Sequence, residues 1–268
     1  MQFLKHEIEI NGTHAPLRCY IHGASPRGHF QTNRPAVIVF PGGGYSHTYE
    51  GEAEPIALSF LSHGFCAFVL NYSVYPARFP QALLEGLHAV RFVREHAEEY
   101  GIDPARISVC GFSAGGHLAA SVGTLWKHAC LDGMLEGDRR LYRPDSLVLS
   151  YPVINPLHRG SFLNLFSQNE EELTPEVVEL LSLENRVDGD TPPTFLWHNS
   201  DDQAVPVECS LVFALALHRS NVPFEMRIWE KGGHGTCLGN YITQTMEPGT
   251  TMECEPWVGE AVKFLLKH

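Results

Sequence analysis

The sequence lacks most of the signatures that would direct its function elsewhere. Its seven cysteines include no CxxC pair, and an odd, scattered set reads as reduced thiols rather than a disulfide framework. Basic residues are scarce, 19 Lys and Arg against 31 Asp and Glu, for a formal charge of −12. So acidic a balance excludes the electrostatic footprint of a nucleic-acid or anionic-membrane binder. No apolar run approaches the roughly 20 residues of a membrane span. Residues 1–10 alternate and carry charges, unlike a secretory signal. A cytoplasmic protein is expected. The 15 histidines form no HExxH and no Cys/His finger spacing, so no metal is expected. Nor does any repeat, linker or low-complexity stretch divide the chain.

What remains is ordinary globular material. With 268 residues, 44% hydrophobic and 19% charged, the chain can bury a sizeable core. Residues 7–10 and 17–21 alternate around Asn11-Gly12, a hairpin signal. The continuous apolar run at 35–40 reads as a strand buried on both faces, and 65–70, 106–110, 146–151, 193–197 and 224–229 read as further strands. Between them, 54–62, 82–100, 207–219 and 257–267 carry helical spacing. The spacing predicts an α/β fold: a mostly parallel eight-stranded sheet, helices on both faces, and the hairpin as antiparallel edge. One domain spanning 1–268 is expected. Residues 155–191 hold no strand; this insertion, with its acidic run Glu170-Glu171-Glu172 and a helix at 175–183, is either a lid over the site or a helix covering the sheet.

Gly111-Phe112-Ser113-Ala114-Gly115 lies between one of these strands and a small-residue helix. A serine there must occupy a tight turn, where flanking glycines remove clashing Cβ atoms and leave the hydroxyl exposed. The amide of Ala114, at the helix N-terminus, faces the place where an oxyanion would form. Serine also needs a base and a group to orient it. Asp201 and Asp202 follow one strand and His234, in a glycine-rich turn, follows the next. The order serine, aspartate, histidine is that of an α/β-hydrolase. Cys110 and His117 read as packing residues, and His198 as structural. The glycine-rich turn 41–44 is not a phosphate loop, since no GKS or GKT follows it.

Six segments together resemble the acetyl-esterase and acetylxylan-esterase-like α/β-hydrolases, relatives of the hormone-sensitive-lipase and kynurenine-formamidase branches. They are residues 40–45 (FPGGGY), 101–107 (GIDPARI), 111–117 (GFSAGGH), 192–198 (PPTFLWH), 202–206 (DQAVP) and 232–235 (GGHG). The resemblance implies Ser113 as nucleophile, His234 as general base, and Asp202 rather than Asp201 as the orienting acid, three residues before Val205-Pro206. It implies an oxyanion hole of Gly42, Gly43 and Ala114, with Gly44 the alternative to Gly42. Pro41 stands where relatives carry histidine, removing a side-chain tether. Tyr45 and His47 follow this loop as candidate substrate contacts, or as plain surface residues. The implied reaction is cofactor-free hydrolysis of a small acyl ester, an acetylated sugar or xylo-oligosaccharide being the expected substrate. Alternatives are an amide or formamide hydrolase on the same triad, and a catalytically silent ligand binder.

Overall fold

In the computed structural model, which describes residues 1–23, 33–155, 159–166 and 173–268, eight strands form one sheet. They are β1 (Gln2–Ile10), β2 (Thr13–Ile21), β3 (Arg34–Phe40), β4 (Cys66–Leu70), β5 (Ile102–Phe112), β6 (Ser146–Ser150), β7 (Thr194–Asn199) and β8 (Phe224–Trp229). Their spatial order is β1-β2-β4-β3-β5-β6-β7-β8. Only the β1–β2 and β2–β4 pairings are antiparallel, so the N-terminal hairpin is the antiparallel edge and β3 to β8 run parallel.

The continuous apolar runs follow from burial on both faces. Along β3, Ala36, Ile38 and Phe40 join one core while Val37 and Val39 join the other. The first core takes in α2 (Gln81–Glu95), α4 (Ala114–Leu125) and α7 (Glu208–Arg219); the second takes in α1 (Glu54–Ser62) and α8 (Trp257–Lys267). In the second, Trp197 and Trp257 stack with ring centroids 5.3 Å apart, each burial worth about 2–3 kcal/mol.

Two expected helices differ. The helix expected over 82–100 breaks at His96, which leaves helical geometry at φ −98°, ψ 13° while its Nδ1–H donates to the Phe92 carbonyl (2.8 Å). A short α3 (Ala97–Tyr100) follows and ends at left-handed Gly101. The helix expected over 175–183 stops earlier, as α6 (Pro175–Leu181), and a 3-10 turn continues at Leu183–Asn185.

Within 155–191, α5 (Arg159–Leu165) also forms. Phe162, Leu165, Leu181 and Leu183 are buried in the first core, and Leu183 N–H donates to the Ile154 carbonyl (3.1 Å). Residues 156–158 and 167–172, including the acidic run at 170–172, lie outside the described residues. Among the described residues no helix is long and apolar enough to cross a membrane.

Candidate active site

Ser113 stands between β5 and α4 with φ 53° and ψ −118°, a conformation disfavoured for any side-chain-bearing residue. The surroundings over-determine it. A Cβ on Gly115 would overlap the carbonyl oxygens of Phe40 and Pro41, and one on Gly111 would overlap the Gly115 carbonyl. Helix α4 therefore sits directly against the end of β3. Ser113 N–H donates to Ser150 O (3.1 Å), and Ser113 O accepts from Val153 (3.0 Å) and His117 (3.1 Å). Only the Oγ is left without backbone duty.

That Oγ lies 2.9 Å from His234 Nε2, and His234 Nδ1 lies 2.6 Å from Asp202 Oδ2. Asp202 accepts at Nδ1, so the neutral imidazole carries its proton there and Nε2 accepts from the serine hydroxyl. Asp202, after β7, is buried; its Oδ1 accepts the amides of Ala204 and Val205, both at 2.9 Å. His198 completes its surroundings. Its Nε2–H faces Val205 O (3.1 Å) and Asp202 Oδ2 (3.3 Å), leaving Nδ1 to accept from Ser210 (2.8 Å). Burial alone would raise the Asp202 carboxyl, but hydrogen bonds from His198 and His234 outweigh it and hold it well below the usual range.

Asp201 does different work. Its exposed carboxylate accepts Gly232 N–H (3.3 Å) and Gly233 N–H (2.8 Å), while buried Asn199 Nδ2 donates to Gly233 O (3.0 Å). The end of β7 thus grips the turn that carries His234. It does not cap α7, whose N-cap is Val207 with no side-chain hydrogen bond.

The glycine turn corrects two expectations. Gly42 N–H is already committed to Glu52 Oε2 at 2.7 Å, so it has no proton to offer an oxyanion. Gly43, Gly44 and Ala114 make no amide hydrogen bond among the described residues. Tyr45 is not a surface residue at the site: its ring is buried at φ 57°, and its hydroxyl donates to His117 Nδ1 at 3.0 Å. Exposed His47 stays beside the loop, its Nδ1 3.0 Å from Ser46 Oγ. His117 is the buried packing residue expected. Its Nε2–H donates to the Leu181 carbonyl (3.1 Å), and burial, opposed by that bond, lowers it to about 4. The tether absent at Pro41 is replaced by Tyr72, whose hydroxyl donates to the Pro41 carbonyl at 2.6 Å.

Sequence reasoning missed Glu52, Tyr151 and Asn199. Glu52 is 2% exposed; burial raises its carboxyl, partly offset by hydrogen bonds from Tyr151 and Gly42 and by His234. Tyr151 donates to Glu52 Oε1 (2.6 Å) and accepts Cys237 N–H (3.1 Å). Nothing in the sequence singles Glu52 out, since Glu50 and Glu54 flank it as chemically identical neighbours. Among the described residues no cluster of three His, Cys, Asp or Glu is placed to hold a metal. Chemically, the arrangement offers an acceptor-activated hydroxyl with unpaired amides beside it.

Residues 25–217 match the family profile BD-FAE. Over 216 residues, 77% of this chain, the sequence is 37% identical to endo-1,4-beta-xylanase B of Butyrivibrio fibrisolvens and 28% identical to acetylxylan esterase of Xylanibacter ruminicola. It spans 33% and 42% of their lengths. The crystal structure of an acetyl ester-xyloside bifunctional hydrolase from Caldicellulosiruptor lactoaceticus superposes with a TM-score of 0.81 at 41% identity, covering 96% of this chain and 89% of that one.

Proposed function

The chain belongs to the BD-FAE family of α/β-hydrolases, and we propose that it is a serine carboxylic-ester hydrolase removing acetyl groups from acetylated sugars or xylo-oligosaccharides. One observation carries this reading: a serine hydroxyl 2.9 Å from an imidazole whose other nitrogen is 2.6 Å from a buried carboxylate. The xylan-related relatives supply the substrate class. Seven unpaired cysteines fit a reducing, cytoplasmic setting.

In this mechanism Ser113 Oγ attacks the ester carbonyl carbon as its proton passes to His234 Nε2. Asp202, kept ionised by its hydrogen bonds, stabilises the imidazolium and fixes its tautomer. The carbonyl oxygen becomes an oxyanion facing Gly43 and Ala114 N–H, with Gly44 next in line. Collapse breaks the bond to the alcohol, which leaves with the proton from His234. Water, deprotonated by the same nitrogen, then releases acetate and restores the serine. No step calls for a metal or an organic cofactor.

Ser113→Ala is expected to lower p-nitrophenyl acetate turnover by about 10⁴-fold or more, with the circular dichroism unchanged. Full activity in that variant would sink the assignment. Acetate release from acetylated xylo-oligosaccharide, measured against formylkynurenine cleavage, tests the substrate; faster formamide cleavage would replace the ester reading by the amide one.

A further inference from the structure

One buried carboxylate has no place in the reaction just described. Glu52 closes a 3-10 turn (Glu50–Glu52) ahead of α1, ten residues beyond Gly42, and both its oxygens are in use. Oε2 accepts the Gly42 amide at 2.7 Å, and Oε1 accepts the Tyr151 hydroxyl at 2.6 Å. Tyr151, immediately after β6, accepts Cys237 N–H at 3.1 Å, which directs its own proton toward Glu52. The Tyr151 ring stands edge-on to the His234 imidazole, with centroids 5.0 Å apart. Through two hydrogen bonds Glu52 thus reaches the oxyanion turn on one side and the histidine loop on the other.

We propose that Glu52 is a positioning residue that couples these two halves: it aims the Gly43 amide by holding Gly42, and it seats His234 by holding Tyr151. Resting on the serine-hydrolase reading, the proposal adds an electrostatic role. The two donors favour the ionised carboxylate against the burial that raises it. Negative charge beside His234 favours the imidazolium that forms when the serine proton is taken up. The other titratable groups facing Glu52 are Tyr49, Tyr72, Tyr151, Cys110 and Cys237. In their neutral forms none of these offsets that charge, while His234 is the basic group facing it. Asp202 faces His234 from the opposite nitrogen.

The test compares Glu52→Gln, Glu52→Asp and Tyr151→Phe by steady-state kinetics across pH. Glutamine keeps the shape but presents an N–H to one of two donors, and it removes the charge. Its kcat should fall about 10- to 100-fold, below the loss expected for deleting an oxyanion donor, with KM within about threefold. The apparent pKa of the acid limb of kcat/KM should move down, because removing the nearby anion disfavours the protonated imidazole. Glu52→Asp should restore the acid limb even where kcat recovers only in part. Tyr151→Phe leaves the Gly42 bond intact and should lower kcat less than Glu52→Gln. It keeps the proposal open to refutation if Glu52→Gln does not fold. Wild-type kcat and an unmoved acid limb in folded Glu52→Gln overturn it, as does unaltered turnover in Tyr151→Phe. Fluorophosphonate labelling of the wild type at Ser113 tests the parent reading separately; an unlabelled wild type defeats that reading, not the coupling alone.

Discussion

At Ser113 the backbone is held by atoms that leave no room for another, whereas at His234 it is held by polar bonds reaching across from the neighbouring strand. The serine turn is fixed by Gly111 and Gly115 packed against β3 and α4. The histidine turn is open around Gly233 and Gly235, where an added Cβ meets nothing within 4 Å, and at Gly232 the nearest atoms an added Cβ meets are those of the Asn199 side-chain amide, not backbone. Its position comes instead from Asp201, Asn199 and Asp202. Steric restraint is local and permanent. Polar restraint is assembled from distant residues and responds to charge.

That contrast is sharpest at the acid. Asp202→Asn preserves volume but presents an amide to His234 Nδ1, forcing the imidazole into the wrong tautomer. A loss of about 10⁴-fold in kcat is expected, with the fold retained by circular dichroism. A loss under tenfold would show that the histidine turn needs no charge to work. At the other region Gly115→Ala should act on stability, since its Cβ would overlap backbone carbonyls that cannot swing aside. About 4 kcal/mol of destabilisation in urea unfolding is expected; a neutral substitution would break the steric account of the turn.

A third test uses two histidines that flank Ser113. His234 works by gaining a proton, while His117 is held neutral, its value near 4 against an ordinary 6.5 because burial outweighs its bond to Leu181. Unfolded chains protonate this side chain first as pH falls. Its contribution is therefore complete above pH 6.5 and declines toward pH 4, by roughly 3 kcal/mol in total. His117→Gln does not titrate and should flatten that decline when urea unfolding is compared at pH 7 and pH 4.5. Identical pH dependence in the variant and the wild type would contradict it.

The same division decides what could be read in advance. Strands buried on both faces announce themselves as continuous apolar runs, so the sheet, its antiparallel edge and the serine turn were legible from neighbouring residues alone. The relay was partly legible, because its members follow successive strands and parallel strands end on one side. The fate of individual groups was not. Nothing near Gly42 says that its proton is taken by a carboxylate ten residues on. Nor does anything near Tyr45 say that its hydroxyl turns inward to His117. Asp201 and Asp202 are adjacent and chemically alike; the place of Asp202 three residues before Val205-Pro206 picked the acid that meets His234, but nothing said that Asp201 holds the histidine turn's backbone. His96 ends a helix whose apolar periodicity runs on unbroken; its ring and its own amide both bond the Phe92 carbonyl there.

The site is stitched across sequence distance. Ser113 and His234 are 121 residues apart, Glu52 and Tyr151 are 99 apart, and β8, which carries the histidine turn, is the last strand placed at the sheet's edge. Closing loops of that length costs entropy before any contact repays it, so such pairings form late as a chain folds. Catalytic competence then arrives as a finishing event: a chain folded as far as β7 has its serine elbow in place and no base to serve it.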